Sequence, residues 1–130
     1  MRGICVPFDD DATIDSNERL LRRIHPKQVV PDKAGGFRPS SAAFNDRELS
    51  VDISSVLTSL QRPPDSCLSG YEGYGLVCFS AGTARVNQQA VCRDPIPENP
   101  AHGVVYGDKP TRVKKQLVEN STWVVQNPPH

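Results

Sequence analysis

The cleanest alternation of apolar and polar positions in the chain is "LSVDI" at 49–53. Leu49, Val51 and Ile53 fall on one side and Ser50 and Asp52 on the other, which predicts a half-buried strand whose polar side meets solvent. "LVCFS" at 76–80 is continuously apolar and predicts a central strand covered on both faces. "AVCRD" at 90–94, "HGVVYG" at 102–107 and "TWVVQ" at 122–126 predict shorter strands, with His102, Val104 and Tyr106 on a common face. Helical spacing is clearest in "KPTRVKKQLVEN", where Val113 and Leu117 pack inward, Pro110 suits the first turn and Asn120 the stop. "SSVLTSL" at 54–60 and "AGTARVNQQ" at 81–89 predict shorter, weaker helices.

"NERLLRRI" at 17–24 fits two periods. Leu20, Leu21 and Ile24 share a helical face, with Asp15 and Glu18 spaced as a capping box. The same residues also make a strand that ends before Pro26. Between 25 and 48, Pro26, Pro31, Gly35, Gly36 and Pro39 predict a long connection, with Ser40 placed to cap a short helix in "SSAAF". "RPPDS" and "PIPENP" are breaks, since proline joins neither a ladder nor a helix interior. Residues 1–16 read as a poorly ordered acidic arm without periodicity. The order of elements predicts an α+β fold: a single small domain over 17–127, with one mixed β-sheet and two to four short helices.

A chain of 130 residues is long enough for one core, and 37% hydrophobic residues with 12 Pro and 9 Gly point to a domain rich in loops. Fifteen basic and fifteen acidic residues cancel, which argues against generic binding to nucleic acid or anionic membranes. No apolar run reaches the roughly 20 residues a membrane helix needs, and the acidic start lacks the apolar core of a signal peptide. A cytoplasmic location is expected. The four cysteines, Cys5, Cys67, Cys78 and Cys92, show no metal-ligand spacing, so no metal site is expected. Cys78 and Cys92 read as buried free thiols.

Candidate chemistry concentrates in two stretches. "GGFRPSSAAFND" at 35–46 combines glycines that admit close approach to a ligand with the hydroxyls of Ser40 and Ser41. Arg38, or the pair Arg22 and Arg23, would add bidentate contacts to an anion. The plain alternative is a turn with a Phe37 or Phe44 anchor. "DPIPENPAHG" delivers His102 to the start of a strand, where an imidazole can act as general acid or base; otherwise the ring packs beside Val104 and Tyr106. His25 and His130 are weaker candidates. Lys109, Arg112, Lys114 and Lys115 read as the wet face of the last helix. Tyr71 and Tyr74 of "GYEGYG" either stack on a base or close a turn against the core. Asp52 and Ser50 share the polar face of their strand and either pair with a ligand or are simply solvated, the plainer reading. No phosphate-loop or dinucleotide fingerprint is present, and no cofactor is expected.

The stretches "LLRRIHP", "RPSSAAFND", "LSVDISS", "GYGLVCFSAG", "DPIPENPAHGVVYG" and "TWVV" together resemble a group of small bacterial proteins of uncharacterised activity. That resemblance implies a bacterial cytosolic protein and brings no reaction with it. The chain is also distantly similar to ADP-ribosyltransferase-type domains with an Arg-Glu-Ser arrangement. Arg22 or Arg23 would match the arginine, Ser40 or Ser41 the serine, and Glu98 or Glu119 the late glutamate. Neither glutamate lies in a stretch with a strand pattern. Two functional readings follow. One is a small binding or accessory module of the kind found in bacterial defence or toxin-type operons, recognising a protein partner or a phosphate-containing small molecule through Arg22, Arg23, Arg38, Ser40 and Ser41. The other is an enzyme acting on a nucleotide or NAD, with His102 as base.

Overall fold

The computed structural model describes residues 9–126. Six strands form the main sheet in the order β6-β7-β4-β1-β5-β8. They are β1 (Arg19–Ile24), β4 (Glu48–Ile53), β5 (Gly75–Ser80), β6 (Ala90–Arg93), β7 (His102–Tyr106) and β8 (Thr122–Val125). Between β1 and β4 the chain makes a separate two-stranded ribbon, β2 (Val29–Pro31) with β3 (Phe37–Pro39). Three helices complete the fold: α1 (Ser54–Ser59), α2 (Ala81–Val86) and α3 (Thr111–Glu119). The α+β class and the helix number match the expectation, while every pairing in the sheet is antiparallel rather than mixed.

Residues 19–24 are a strand, not a helix, and they lie near the middle of the sheet between β4 and β5. The consecutive pair Leu20 and Leu21 explains the choice. In a strand the two point to opposite faces, and both are buried here, at 0% and 3% exposure. Asp15 and Glu18 form no capping box. Asp15 accepts from the Asn17 amide instead, and the Glu18 carboxylate accepts from the amide and hydroxyl of Ser55 at the start of α1.

The first face of the sheet carries Leu20, Ile24, Leu49, Val51, Ile53, Val77 and Phe79, which pack with Val113 and Leu117 of α3, Ala84 of α2 and Phe44. Phe44 belongs to a short 3₁₀ helix, Ser41–Phe44, lying beneath α3. Ser40 is its N-cap residue, but its side chain makes no capping bond. Pro110 precedes α3 as the N-cap rather than standing in its first turn. Gly75 of β5 lets the indole of Trp123 lie against the backbone, since a Cβ there would come within 2.7 Å of the ring.

The second face is covered over β1, β5 and β8 by a smaller cluster in which Leu21 and Leu76 pack with Leu57 of α1 and Cys67. Cys67 sits in another 3₁₀ helix, Pro64–Leu68. This cover stops at β4, and the cleft described below opens there.

The stretch 9–16, expected as part of a loose arm, is built onto the domain. Ile14 is 1% exposed and joins the main core. Asp10 pairs with Arg85 at 3.0 Å and Asp11 with Arg93 at 3.2 Å, and the Asp11 amide donates to the Val91 carbonyl at the outer edge of β6. Residues 1–8 of the expected arm lie outside the described residues, as does His130. Among the described residues no helix is long and apolar enough to cross a membrane. Cys67, Cys78 and Cys92 are free thiols; Cys67 and Cys92 are buried and Cys78 is only partly so.

Candidate functional site

Strand alternation separates the two arginines that the sequence places side by side. Arg22 points to the first face, where Nε donates to the Ala43 carbonyl at 3.1 Å and Nη1 to the Ser50 carbonyl at 3.1 Å. It ties the Ser41–Phe44 turn to the sheet. Burial pulls its pKa below the usual guanidinium range, and Asp46, with a 3.6 Å ion pair, works against that shift. Arg22 is therefore a structural clamp.

Arg23 points to the second face, into a cleft of about 600 Å³ shared with Asp52, Arg62, Tyr71, Asn99 and His102. Register explains the convergence. Leu21 pairs with Asp52 across β1 and β4, and Asp52 pairs with His102 across β4 and β7, so all these strands present the same face at this point. Gly103 fixes the approach of β7 to its neighbours, because a Cβ there would meet the Cys92 carbonyl at 2.9 Å and the Ile53 side chain at 3.1 Å.

Asp52 was expected in solvent and is instead 4% exposed. Its carboxylate accepts from the side-chain amide of Asn99 and lies 3.6 Å from Nη1 of Arg23. Asn99 also accepts from the Ala101 amide through its Oδ1 at 3.1 Å, so the proline-rich loop is locked onto the carboxylate it covers. A buried carboxylate is tolerated only with such partners. Beside it, burial and the Asp52 carboxylate push the Cys67 thiol up to about 12, so it is no ready nucleophile.

Arg23 itself is half-buried, its guanidinium stacked 4.2 Å from the centre of the Tyr71 ring. Among the described residues its polar contacts are through Nη1, with the Cys67 carbonyl at 3.4 Å and with Asp52. Among the described residues, Nε and Nη2 meet no acceptor. A guanidinium set over an aromatic ring, with one edge of its fork unused, matches a pair of oxygens of a phosphate or carboxylate.

His102 stands on the same face. Its Nδ1 lies 3.0 Å from the Asp94 carbonyl oxygen and 3.2 Å from the Asp94 carboxylate. Both neighbours are acceptors, so Nδ1 carries the proton and Nε2 of the neutral ring is left as the bare nitrogen. His102 and Arg23 thus come together as the sequence suggested.

Arg38, Ser40 and Ser41 do not join them. Arg38 and Ser41 line a separate hollow beside α3, on the first-face side of the sheet. The anion site expected from Arg22, Arg23, Arg38, Ser40, Ser41 and His102 is split by the sheet itself. The proposed glutamates are split likewise, with Glu98 beside Arg23 and Glu119 beside Ser41. His25 is the N-cap of the 3₁₀ helix Pro26–Gln28, its Nδ1 accepting from Lys27, and stacks edge-on with Tyr74. Asn99 and Arg62 are cleft residues that sequence reasoning passed over, as is Asp94 behind His102; Asp52 was read chiefly as solvated. The one available signal was a charged residue inside an otherwise apolar strand and helix junction, "VDISSVL".

Comparison with protein-family models, with curated proteins and with solved structures finds no match to this chain. The cleft's own chemistry is what speaks for a function.

Proposed function

We propose that the protein is a small cytosolic binding module that takes an anionic group, phosphate or carboxylate, into the cleft at Arg23, from a small molecule or a partner protein. The single observation behind this reading is the unused Nε–Nη2 edge of a half-buried guanidinium already oriented by Tyr71 and Asp52. Arg62 and His102 line the same cleft and supply further donors once the imidazole is protonated. Asp52 and Glu98 balance the two arginines, which fits selective capture of one anion over bulk attraction of polyanions.

A thermal-shift series with phosphate, pyrophosphate, nucleoside phosphates and dicarboxylates tests the reading. A ligand present at 100 times its Kd adds roughly 2.7 kcal/mol of stability. The expected result is a rise that keeps growing with the logarithm of ligand concentration and that Arg23→Gln and, separately, the exposed Arg62→Gln reduce. A rise unchanged in both variants, or none with any anion, removes the proposal.

A second reading rests on the Asp94–His102 contact, which fixes through Nδ1 an imidazole that lines the cleft. In this reading the module is an enzyme acting on a nucleotide or NAD, with His102 as base and Arg23 on the phosphate. It does not use Ser41, which lies across the sheet. Product analysis after incubation with NAD and nucleotides decides it: His102→Gln should abolish turnover while leaving binding intact, and no turnover in the native protein excludes it.

A further inference from the structure

The first-face side holds a groove that the cleft at Arg23 does not use. It runs between the β2–β3 ribbon and α3 as two adjoining hollows, about 340 and about 460 Å³, that share Asp32, Arg38, Val118 and Glu119. Both linings mix apolar and polar groups. The smaller holds the aromatic surface, Trp123 and Phe37 with Val77 and Pro39, next to Ser121. The indole is fixed there, lying against Gly75 and donating from Nε1 to the Phe37 carbonyl at 3.0 Å. The larger hollow sets Lys33, Ser41 and Lys115 around the apolar surface of Val118, with Asp32 and Glu119 also in its wall.

Arg38 stands at the junction, half-buried, and its one hydrogen bond is a long one, 3.4 Å from Nη1 to the Pro39 carbonyl. Among the described residues neither Arg38, Lys33 nor Lys115 forms an ion pair. Arg22, Arg23, Arg47, Arg85 and Arg93 all do. Partial withdrawal of a guanidinium from water without an opposing charge is costly, and a bound anion would offset that cost. Asp32 and Glu119, which line both hollows with Arg38, oppose the three cations and leave one positive charge in excess.

We propose that this groove is a second binding site, for a small ligand that joins a flat apolar ring to a phosphate, of mononucleotide size. The ring would lie over Trp123 and Pro39, and the phosphate would meet Arg38 and Lys115, with Ser41 as a hydroxyl donor. The site is independent of the cleft at Arg23, which opens on the opposite face.

Trp123 is the only tryptophan in the chain, so its fluorescence reports on this groove. Titrations with adenosine monophosphate, adenosine and inorganic phosphate, corrected for absorbance, form the test. The expected result is saturable quenching by the monophosphate at a Kd at least about tenfold below those of adenosine and phosphate. Arg38→Gln, and in a second variant the exposed Lys115→Gln, should raise that Kd about tenfold, while Arg23→Gln leaves it unchanged. Absence of saturable quenching, equal quenching by adenosine alone, or a dependence on Arg23 in place of Arg38 and Lys115 would overturn the proposal. The Arg23 arm separates failure here from failure of the cleft reading.

Discussion

Replacing Asp52 by Asn should lower stability and raise anion affinity at once. At 3.6 Å the attraction between Arg23 and Asp52 is about 4–5 kcal/mol in an effective dielectric of about 20. Most of that is offset by the cost of withdrawing the carboxylate from water. Asparagine removes the charge but keeps the shape, so Arg23 loses its counter-charge. Asn99 then donates to a neutral oxygen, a loss of about 1 kcal/mol against a charged acceptor. Arg23 retains some solvent, with its side chain 28% exposed, which limits the penalty for the unpaired guanidinium. The net expectation is a loss of about 2 kcal/mol, or about 5–10 °C in Tm for a domain of this size. The same change removes a negative charge facing the proposed ligand, and phosphate or pyrophosphate should bind about tenfold tighter, about 1.4 kcal/mol. Thermal unfolding and calorimetric titration on the one variant measure both effects. Unfolding at the native temperature would mean Asp52 is merely a solvated strand residue. Weaker anion binding would mean the carboxylate belongs to the recognition surface, and the electrostatic account would fail.

Cys67 should be nearly inert in the folded protein. With its thiol pushed up to about 12 from 9.0, the thiolate fraction at pH 8 falls about a thousandfold, so site-resolved mass spectrometry with a thiol reagent should show Cys67 reacting far behind the unfolded chain. Asp52→Asn should speed that reaction, since the carboxylate is one cause of the shift; native labelling at the unfolded rate would contradict the burial. Lys109→Met should cost about 2 kcal/mol, because Nζ donates to the carbonyls of Arg47, Val105 and Gly107, although that of Arg47 keeps the Gly107 amide as a second donor. Denaturant unfolding with an unchanged midpoint would show that water replaces the ammonium without penalty.

The strands with clear alternation or continuous apolar runs are legible in the sequence because tertiary packing only reinforces what period and composition already favour. Residues 19–24 are not, since two adjacent leucines satisfy a helix stripe or both faces of a central strand equally. Three-residue strands such as β2 and β3 are too short to leave any periodic trace. The site was half legible. Once 19–24 is a strand, alternation alone sends Arg22 and Arg23 to opposite faces, so they cannot share one ligand. His102 and Arg23 meet because β4 lies between their strands, and that neighbour relation is topological. Asp52 looks like a solvent-facing residue along its own strand. Its burial arises from the 3₁₀ helix at Cys67 and the loop at Asn99, which no local pattern ties to it.

The central claim is that the free edge of the Arg23 guanidinium receives an anion. The most direct measurement is a proton–nitrogen NMR titration of the arginine Nε–H resonances with pyrophosphate. The account predicts that the Arg23 signal shifts saturably, with the His102 ring following, while that of Arg22, fixed by the Ala43 carbonyl, stays in place. Small unsaturating shifts spread over the exposed arginines, with Arg23 unmoved, would contradict it.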